Sequence, residues 1–274
     1  METYEDKIKR EGEHWRDMHT PEARSMDSGY FHNPRLREIA DVEVRESMAE
    51  MFDVEHKMTV LDIGCGSGMI ATHIAAYGHE VHAFDLSDEV FAEGKAEAAA
   101  KGYSVNYFVG DANKVELEPG KYDVIFAHDA LHHLVEIHRL MDQINIGLKD
   151  DGRLFVIEND QDNKLNRGEA DMLLSMQPKK YSESRENLKP KNLQKASPFE
   201  GACQNITPIV DEHFEIVSHK ETHAIMPWFF RFQYNWTTEE DFEIAKKIQK
   251  FDQGQIAAGV MRGNKKIVVG KKRA

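Results

Sequence analysis

The stretch VLDIGCGSG, residues 60–68, decides the fold. Its first half is a short apolar run with the length of a buried strand, and its second half places a glycine at every other position. Because glycine has no Cβ, such a turn can adopt positive φ angles and let a ligand approach the backbone. The sequence therefore predicts a strand that runs directly into a ligand-binding turn containing Gly64, Gly66 and Gly68.

Short apolar runs alternate with helical stretches on the C-terminal side of this turn. Further strands are predicted over residues 80–85, 105–109, 122–127, 153–158, 214–219 and 265–270, and a helix rich in Ala and Glu over residues 88–101. Strands that alternate with helices at this spacing are typical of parallel crossover units. We therefore predict an α/β fold with a doubly wound, seven-stranded, Rossmann-like sheet.

Three parts of the chain are predicted from changes in composition. Residues 1–56 are polar with helical patterns and form an N-terminal helical cap, and residues 57–160 form the cofactor-binding core. Residues 161–274 supply a lid insertion, polar and rich in lysine, and then the segments that complete the same sheet.

Two helix starts are predicted outside the core. Asn33 is a good cap, and Pro34 after it is well tolerated in a first helical turn. The run Thr237-Thr238-Glu239-Glu240 has the pattern of a capping box, in which a hydroxyl and a carboxylate satisfy free amides at the helix start.

Composition and charge narrow the function classes. The chain has 274 residues, 41% hydrophobic and 30% charged, which is typical of a folded protein. A formal net charge of -13 argues against nucleic acid as the main partner. Cys65 and Cys203 form no disulfide framework or metal-binding spacing, and no segment has the pattern of a signal peptide or membrane span. We expect a cytoplasmic protein that binds neither nucleic acid nor membranes.

Acidic residues end the two strands that follow the glycine turn. Ligands of doubly wound sheets lie outside the carboxyl ends of the strands, where the strand order reverses. Asp85 at the end of the second strand can accept hydrogen bonds from ribose hydroxyls, and Asp111 after the third can accept one from an adenine amino group. The turn lacks the G-x-G-x-x-G spacing of dinucleotide sites, and Asp62 precedes it, so a nucleoside cofactor with an ammonium group is favoured.

Residues 55–160 resemble the class I S-adenosylmethionine-dependent methyltransferase superfamily, whose first motif reads as residues 60–68 do. Asp85 and Asp111 match its second and third acidic positions. The resemblance implies S-adenosyl-L-methionine as cofactor and S-adenosyl-L-homocysteine as product, with the methionine end at Asp62 and the glycine turn. The cofactor-binding residues it implies are Asp62, Gly64, Cys65, Gly66, Gly68, Asp85, Leu86, Asp111, Ala112 and Ala127.

The run AHDALHHL, residues 127–134, follows the fourth strand, where methyltransferases of DNA amines carry an Asn- or Asp-Pro-Pro-aromatic motif. The run resembles small-molecule methyltransferases of the ubiquinone-biosynthesis and natural-product sugar type, which have a His-His pair there. In the sugar O-methyltransferases the first histidine is a proposed base, assisted by a carboxylate that ends the fifth strand. By position these are His132 and Glu158.

The chemistry agrees with that pairing. An alcohol attacks a sulfonium methyl group only as its proton leaves, and an imidazole suits the task. A carboxylate on the other ring nitrogen fixes the tautomer. His128 is the alternative base, His133 is expected to be structural, and the non-catalytic interpretation of His132 is a packed or capping residue.

Aromatic and basic residues outside the core are candidates for contacts with the substrate. In the N-terminal segment an alternative for Trp15 is simple core packing. The aromatic cluster at residues 227–232 lines a pocket, packs against a twin subunit in a homodimer, or roofs the core, and the sequence does not choose among these. The candidate substrate-binding residues are Trp15, Arg24, Tyr30, His32 and Trp228.

We predict a methyltransferase that transfers a methyl group to a hydroxyl of a small molecule, such as a sugar or another hydroxylated metabolite. The alternatives are N- or C-methylation of a small metabolite, a cofactor-binding protein without transfer activity, and a nicotinamide oxidoreductase. We expect no metal ion, although Asp129, Glu158, Asn159 and Asp160 carry the oxygen ligands that hard cations prefer.

Overall fold

One mixed sheet organises the molecule. The structure, a computed structural model, describes residues 3–18, 33–159, 199, 202–203, 205–224, 226 and 236–273. Strands β1 to β7, numbered in chain order, span Thr59–Ile63, Glu80–Asp85, Val105–Val109, Tyr122–His128, Leu148–Asn159, Phe214–Thr222 and Lys265–Lys272. Their order in the sheet is β3-β2-β1-β4-β5-β7-β6, with β7 antiparallel to both of its neighbours. The predicted seven-stranded, doubly wound α/β sheet is confirmed.

Helices cover both faces of this sheet. Numbered in chain order, the described helices α1 to α8 span Tyr4–Met18, Pro34–Ala40, Val42–Phe52, Met69–Ala76, Ala92–Lys101, Ile137–Gly147, Ile206–His213 and Glu239–Ala257. A 3₁₀ turn, Leu131–His133, lies between β4 and α6. Among the described residues, none of the helices combines the length and the apolar character needed to span a membrane.

Some boundaries differ from those read from the sequence. Helix α5 begins at Ala92, whereas the sequence predicted a helix from residue 88. Strand β5 begins at Leu148, before the predicted start at residue 153, because a register shift in its pairing with β4 accommodates a charged stretch. The division of the chain at residues 56/57 and 160/161 remains a prediction.

The helix caps follow local side-chain chemistry. The Asn33 side chain accepts a hydrogen bond from Leu36 N at 3.1 Å, and Pro34 is the first residue of α2, as predicted. Helix α8 has a capping box, but its carboxylate comes from Asp241 rather than Glu239 or Glu240. Thr238 is its cap, and Asp241 N donates to Thr238 Oγ1 at 3.2 Å.

Strand β1 is buried on both sides. Successive side chains of a strand point to opposite faces, so Leu61 and Ile63 join the apolar layer under α6 and α7, while Val60 joins the layer under α3 and α4. Strand β1 pairs in parallel with β2 on one side and β4 on the other. The strand order therefore reverses between β1 and β4, and their carboxyl ends define the place where ligands bind in such sheets.

Candidate active site

The glycine turn follows β1 directly and has left-handed backbone at each glycine. The φ angles are 65° at Gly64, 51° at Gly66 and 75° at Gly68. A Cβ on Gly68 would lie 2.7 Å from the Tyr107 ring, so a side chain there would suit neither the backbone nor the space. Tyr107 Oη donates to Gly68 O at 2.7 Å, which anchors the turn to β3.

Several N–H groups of this turn already have protein acceptors. Cys65 N donates to Phe84 O at 3.0 Å, and Gly68 N donates to Cys65 O at 2.9 Å. Gly66 N donates to Asp85 Oδ2, also at 2.9 Å. Phosphate-binding loops aim their amides at the ligand instead, so the hydrogen bonding of this turn differs from a pyrophosphate site.

Asp62 is a buried carboxylate beneath the turn. Asp62 is 2% exposed, and its Oδ2 atom has no hydrogen-bond partner among the described residues. Burial raises the pKa of Asp62 well above its usual value, and the nearby Asp85 raises it further. A buried polar atom without a partner costs free energy, so a donor on a bound ligand would be favourable here.

Acidic side chains also end the next two strands. Asp85 Oδ1 accepts from Leu86 N at 2.7 Å, and Asp111 Oδ1 accepts from Asn113 N at 2.9 Å. Together with Asp62 they present acceptors along three neighbouring strand ends. This set fits S-adenosylmethionine, which offers an ammonium group, ribose hydroxyls and an adenine amino group. Of the other implied cofactor residues, Cys65, Ala112 and Ala127 are buried and Leu86 is half-buried.

Helix α1 lies across these strand ends. Tyr4 Oη donates to Asp111 Oδ2 at 2.8 Å. A Cβ on Gly12 would lie 3.6 Å from Leu86 Cβ, and the Trp15 ring meets the His133 ring edge-on with centroids 5.0 Å apart. The sequence indicated a cap but not Tyr4, the residue that reaches a predicted adenine contact.

His132 and Glu158 are brought together as the sequence predicted. His132 Nδ1 lies 2.6 Å from Glu158 Oε1, and the residues are 7% and 2% exposed. Glu158 Oε2 accepts from Leu131 N at 2.9 Å, so one carboxylate holds both the imidazole and the backbone of the 3₁₀ turn. A Cβ on Gly64 would lie only 2.6 Å from Ala130 Cβ, which means that this turn packs directly against the glycine turn.

His128, the alternative base, has a different environment. Its Nε2 lies 3.5 Å from the Lys265 ammonium and 3.6 Å from Asp129 Oδ2. Burial lowers the pKa of His128; the Asp129 carboxylate opposes this effect, and the positive charge of Lys265 adds to it. Asp129 is engaged by Lys265, so His128 lacks the dedicated carboxylate that His132 has.

Sequence reasoning missed Lys265, which bridges to the end of β4 from β7. Its Nζ donates to Asp129 Oδ2 at 2.6 Å, while Asn159 Nδ2 donates to Asp129 Oδ1 at 2.8 Å. Burial alone would raise the pKa of Asp129, but the Lys265 ammonium outweighs it and the pKa is lowered. Asp129 has a φ of 50°, so these contacts hold a left-handed residue where β4 turns toward His132.

The position of Lys265 follows from the register in which β7 pairs with β5. Strand β7 begins with two lysines, and its pairing with β5 sets Lys265 opposite Asn159 and Lys266 opposite Glu158. Two of the carboxylates that the sequence offered as ligands for a hard cation therefore have partners within the protein. Asp129 pairs with Lys265, and Glu158 pairs with His132.

The remaining candidates lie elsewhere. Trp15 is half-buried, and its Nε1 donates to Glu11 Oε1 at 2.8 Å. The predicted substrate-binding residues Arg24, Tyr30, His32 and Trp228 lie outside the described residues, as does Asp160.

Comparison with known proteins agrees with this geometry. Residues 61–156 match a family model described as a methyltransferase domain. The ubiquinone biosynthesis O-methyltransferase of Xanthomonas euvesicatoria pv. vesicatoria is 28% identical over 123 residues, which is 44% of this chain and 49% of that protein. The chain thus spans about half the length of this curated relative.

Solved structures share the fold at low identity. Phosphoethanolamine N-methyltransferase 2 of Haemonchus contortus, solved with S-adenosyl-L-methionine, has a TM-score of 0.51 and 19% identity, covering 85% of this chain and 53% of that one. The [4+2]-cyclase SpnF has a TM-score of 0.53 and 18% identity, covering 85% and 80%. Since these two proteins are named for different reactions, the shared fold alone does not define the chemistry.

The sheet order, the glycine turn after β1 and the family match together show the fold of class I S-adenosylmethionine-dependent methyltransferase domains. Residues 61–156 match the model of that methyltransferase-domain family.

Proposed function

We propose that the protein transfers the methyl group of S-adenosylmethionine to a hydroxyl of a small molecule, with His132 as general base. The observation that carries the proposal is the buried His132–Glu158 pair, whose Nδ1 and Oε1 atoms are 2.6 Å apart beside the glycine turn. The curated relative is named as an O-methyltransferase, which is consistent with a hydroxyl acceptor.

The cofactor would lie along the acceptors at the ends of β1, β2 and β3. In this arrangement Asp62 faces the methionine ammonium, Asp85 the ribose hydroxyls and Asp111 the adenine amino group. The hydrogen bonds within the glycine turn argue against the nicotinamide alternative, because Cys65 N, Gly66 N and Gly68 N are used inside the protein. A dinucleotide would need such amides for its pyrophosphate.

The chain's own residues would handle the proton. When bound, S-adenosylmethionine supplies a sulfonium methyl group that is already activated. Glu158 accepts a hydrogen bond from Nδ1–H of His132, and this tautomer has its lone pair at Nε2. The acceptor's hydroxyl proton would move to Nε2 as the hydroxyl oxygen attacks. The Glu158 carboxylate then stabilises the resulting imidazolium. The 3₁₀ turn, held by the same carboxylate through Leu131 N, keeps the ring in place.

A screen of hydroxylated metabolites with methyl-labelled cofactor tests the proposal, followed by kinetics of His132→Ala, Glu158→Gln and His128→Asn. We expect His132→Ala to lower turnover by about 10²–10⁴-fold, the usual contribution of general-base catalysis. Affinity for S-adenosylhomocysteine, measured by calorimetry, should stay within a few-fold of the wild type. His128→Asn should retain most turnover.

Each alternative has its own outcome in this experiment. A mild loss of turnover in His132→Ala would favour N- or C-methylation, where a base is less necessary. Tight S-adenosylhomocysteine binding without transfer to any acceptor would indicate a cofactor-binding protein, and binding of NAD alone would overturn the methyltransferase proposal.

A further inference from the structure

A histidine pair lies on the surface formed by α6 and α7, away from the candidate active site. The imidazole Nδ1 of His138 is 3.1 Å from Nε2 of His213. The carboxylate Oε2 of Glu212 is 3.8 Å from the same His138 nitrogen. In the described part of the chain these side chains form a group whose ligand atoms all lie within 4.8 Å of one another.

We propose that His138, His213 and Glu212 bind a divalent transition-metal ion, with zinc as the test case. Two imidazoles and a carboxylate are a common zinc ligand set, and water can complete four-coordination. With Zn–N distances of about 2.05 Å, two nitrogens 3.1 Å apart subtend about 98° at the metal, close to the tetrahedral range.

The surroundings of His213 support this geometry. Its other ring nitrogen, Nδ1, lies 3.4 Å from Asp142 Oδ1. A carboxylate on the far nitrogen is the usual outer contact of a metal-bound histidine, because it fixes the tautomer and strengthens the ligand. Here it would leave Nε2 of His213 facing His138, as the site requires.

Access and charge also suit a cation. The side chains of His138 and Glu212 are 58% and 66% exposed, so the site opens to solvent and Glu212 can shift its rotamer to reach the metal. Glu212 and Asp142 place negative charge beside the two imidazoles. The ordinary explanation of the contact is a hydrogen bond in which one imidazole donates and the other accepts, and such a bond needs no metal.

A bound ion would join two elements that are far apart in the chain. Helix α6 follows the 3₁₀ turn that carries His132, whereas α7 precedes the edge strand β6. Their apolar faces pack in the same core layer, with Leu140 and Ile144 from α6 and Ile206 and Val210 from α7. The metal would add a polar link on the outer side of that contact and stabilise the folded state by mass action.

Calorimetric titration of the full-length, chelator-treated protein with ZnCl₂ tests the site. We expect one zinc ion per chain and at least a tenfold weaker affinity in His138→Ala and in His213→Ala. Asp142→Asn should weaken binding by about 10–100-fold, the usual effect of losing an outer contact. His56→Ala, which removes another exposed histidine, should bind as the wild type does.

Thermal unfolding gives a second readout. Zinc should raise the melting temperature of the wild type and of His56→Ala but not that of the His138→Ala/His213→Ala double variant. Melting without metal shows that each variant is folded. The absence of saturable zinc binding in the wild type, or wild-type affinity in the double variant, would overturn the site. Neither result depends on methyl transfer, so the site and the proposed function can fail separately.

Discussion

At the scale of single residues, Tyr4 and Asp111 have the most direct bearing on cofactor binding. The Tyr4 hydroxyl donates to Asp111 Oδ2, the carboxylate proposed to receive the adenine amino group. Burial and the hydrogen bond to Asp111 both raise the pKa of Tyr4, so its hydroxyl keeps its proton at neutral pH and remains a donor. The cofactor and α1 would therefore compete for one oxygen.

The variant Tyr4→Phe tests this competition. Removing the hydroxyl frees Asp111 without removing the aromatic ring, and a hydrogen bond to a charged group contributes about 1.5–3 kcal/mol. We expect S-adenosylhomocysteine to bind about 10–100-fold more tightly to Tyr4→Phe, measured by calorimetry. Weaker binding would mean instead that Tyr4 supports the cofactor.

Asp62 predicts a pH dependence of stability in the cofactor-free protein. Its folded-state pKa is raised above its usual value of 3.8, so the protonated carboxyl is favoured on folding. As pH rises from 3.8 through the raised pKa, the buried charge increasingly opposes folding. Asp62→Asn removes that charge and should unfold at a higher urea concentration than the wild type.

The advantage of Asp62→Asn should be larger at neutral pH than at acid pH, because the wild-type carboxyl is charged to a greater extent at neutral pH. Urea unfolding at both pH values measures it. The same variant should bind S-adenosylhomocysteine more weakly, because it loses the carboxylate proposed to face the ammonium group. A stability difference that does not vary with pH would contradict the charge argument.

At the scale of elements, side-chain contacts from β5 and β7 to the residue after β4 hold the start of the 3₁₀ turn in place. Lys265 and Asn159 both donate to Asp129, the left-handed residue that redirects the chain after β4. Lys265 is 9% exposed, so its charge and that of Asp129 are compensated largely by each other.

A double-mutant cycle with Lys265→Met and Asp129→Asn measures the coupling. Lys265→Met leaves a partly buried carboxylate, 30% exposed, without its counter-charge and should destabilise the protein by up to about 3 kcal/mol, less than a fully buried pair would lose. Asparagine tolerates the left-handed backbone, so the double variant should recover much of that loss. Urea unfolding of the four proteins gives the coupling free energy; additive losses would show that the two residues act independently.

The strands could be predicted from the sequence better than the contacts between them. Short apolar runs predicted β1 and β3 closely. Burial on both faces demands such a run in β1, whereas β3 is a partly exposed edge strand. His132 and Glu158 could be paired through the resemblance to the sugar O-methyltransferases, in which a histidine after the fourth strand is assisted by a carboxylate that ends the fifth. Lys265 could not be found in this way, since its position depends on the antiparallel register of β7 with β5.

Tyr4 was also beyond the reach of sequence patterns. It stands in a mostly charged segment, and its partner Asp111 is 107 positions away along the chain. The start of β5 was missed for a related reason, because its first residues are charged and solvent-facing around the register shift with β4.

At the scale of the whole molecule, the candidate site is confined to the part of the sheet formed by β1 to β5. It lies at the ends of β1 to β5 beneath α1, whereas β6 forms the far edge. We expect S-adenosylhomocysteine to slow amide hydrogen exchange in residues 4–18 and at residues 62–68, with no change in β6, residues 214–222. Unchanged exchange in α1 would show that this helix does not cover the bound cofactor.

The contact between Gly64 and Ala130 carries a consequence for redesign of the protein. A Cβ at Gly64 would lie 2.6 Å from the Ala130 methyl group, so the loop proposed to hold the cofactor is in direct contact with the loop that carries His132. A larger residue at position 130, chosen to reshape the acceptor pocket, would push on the cofactor loop as well. Directed evolution toward a new acceptor should therefore succeed most often with substitutions in helix α1, because these leave the contact between Gly64 and Ala130 unchanged.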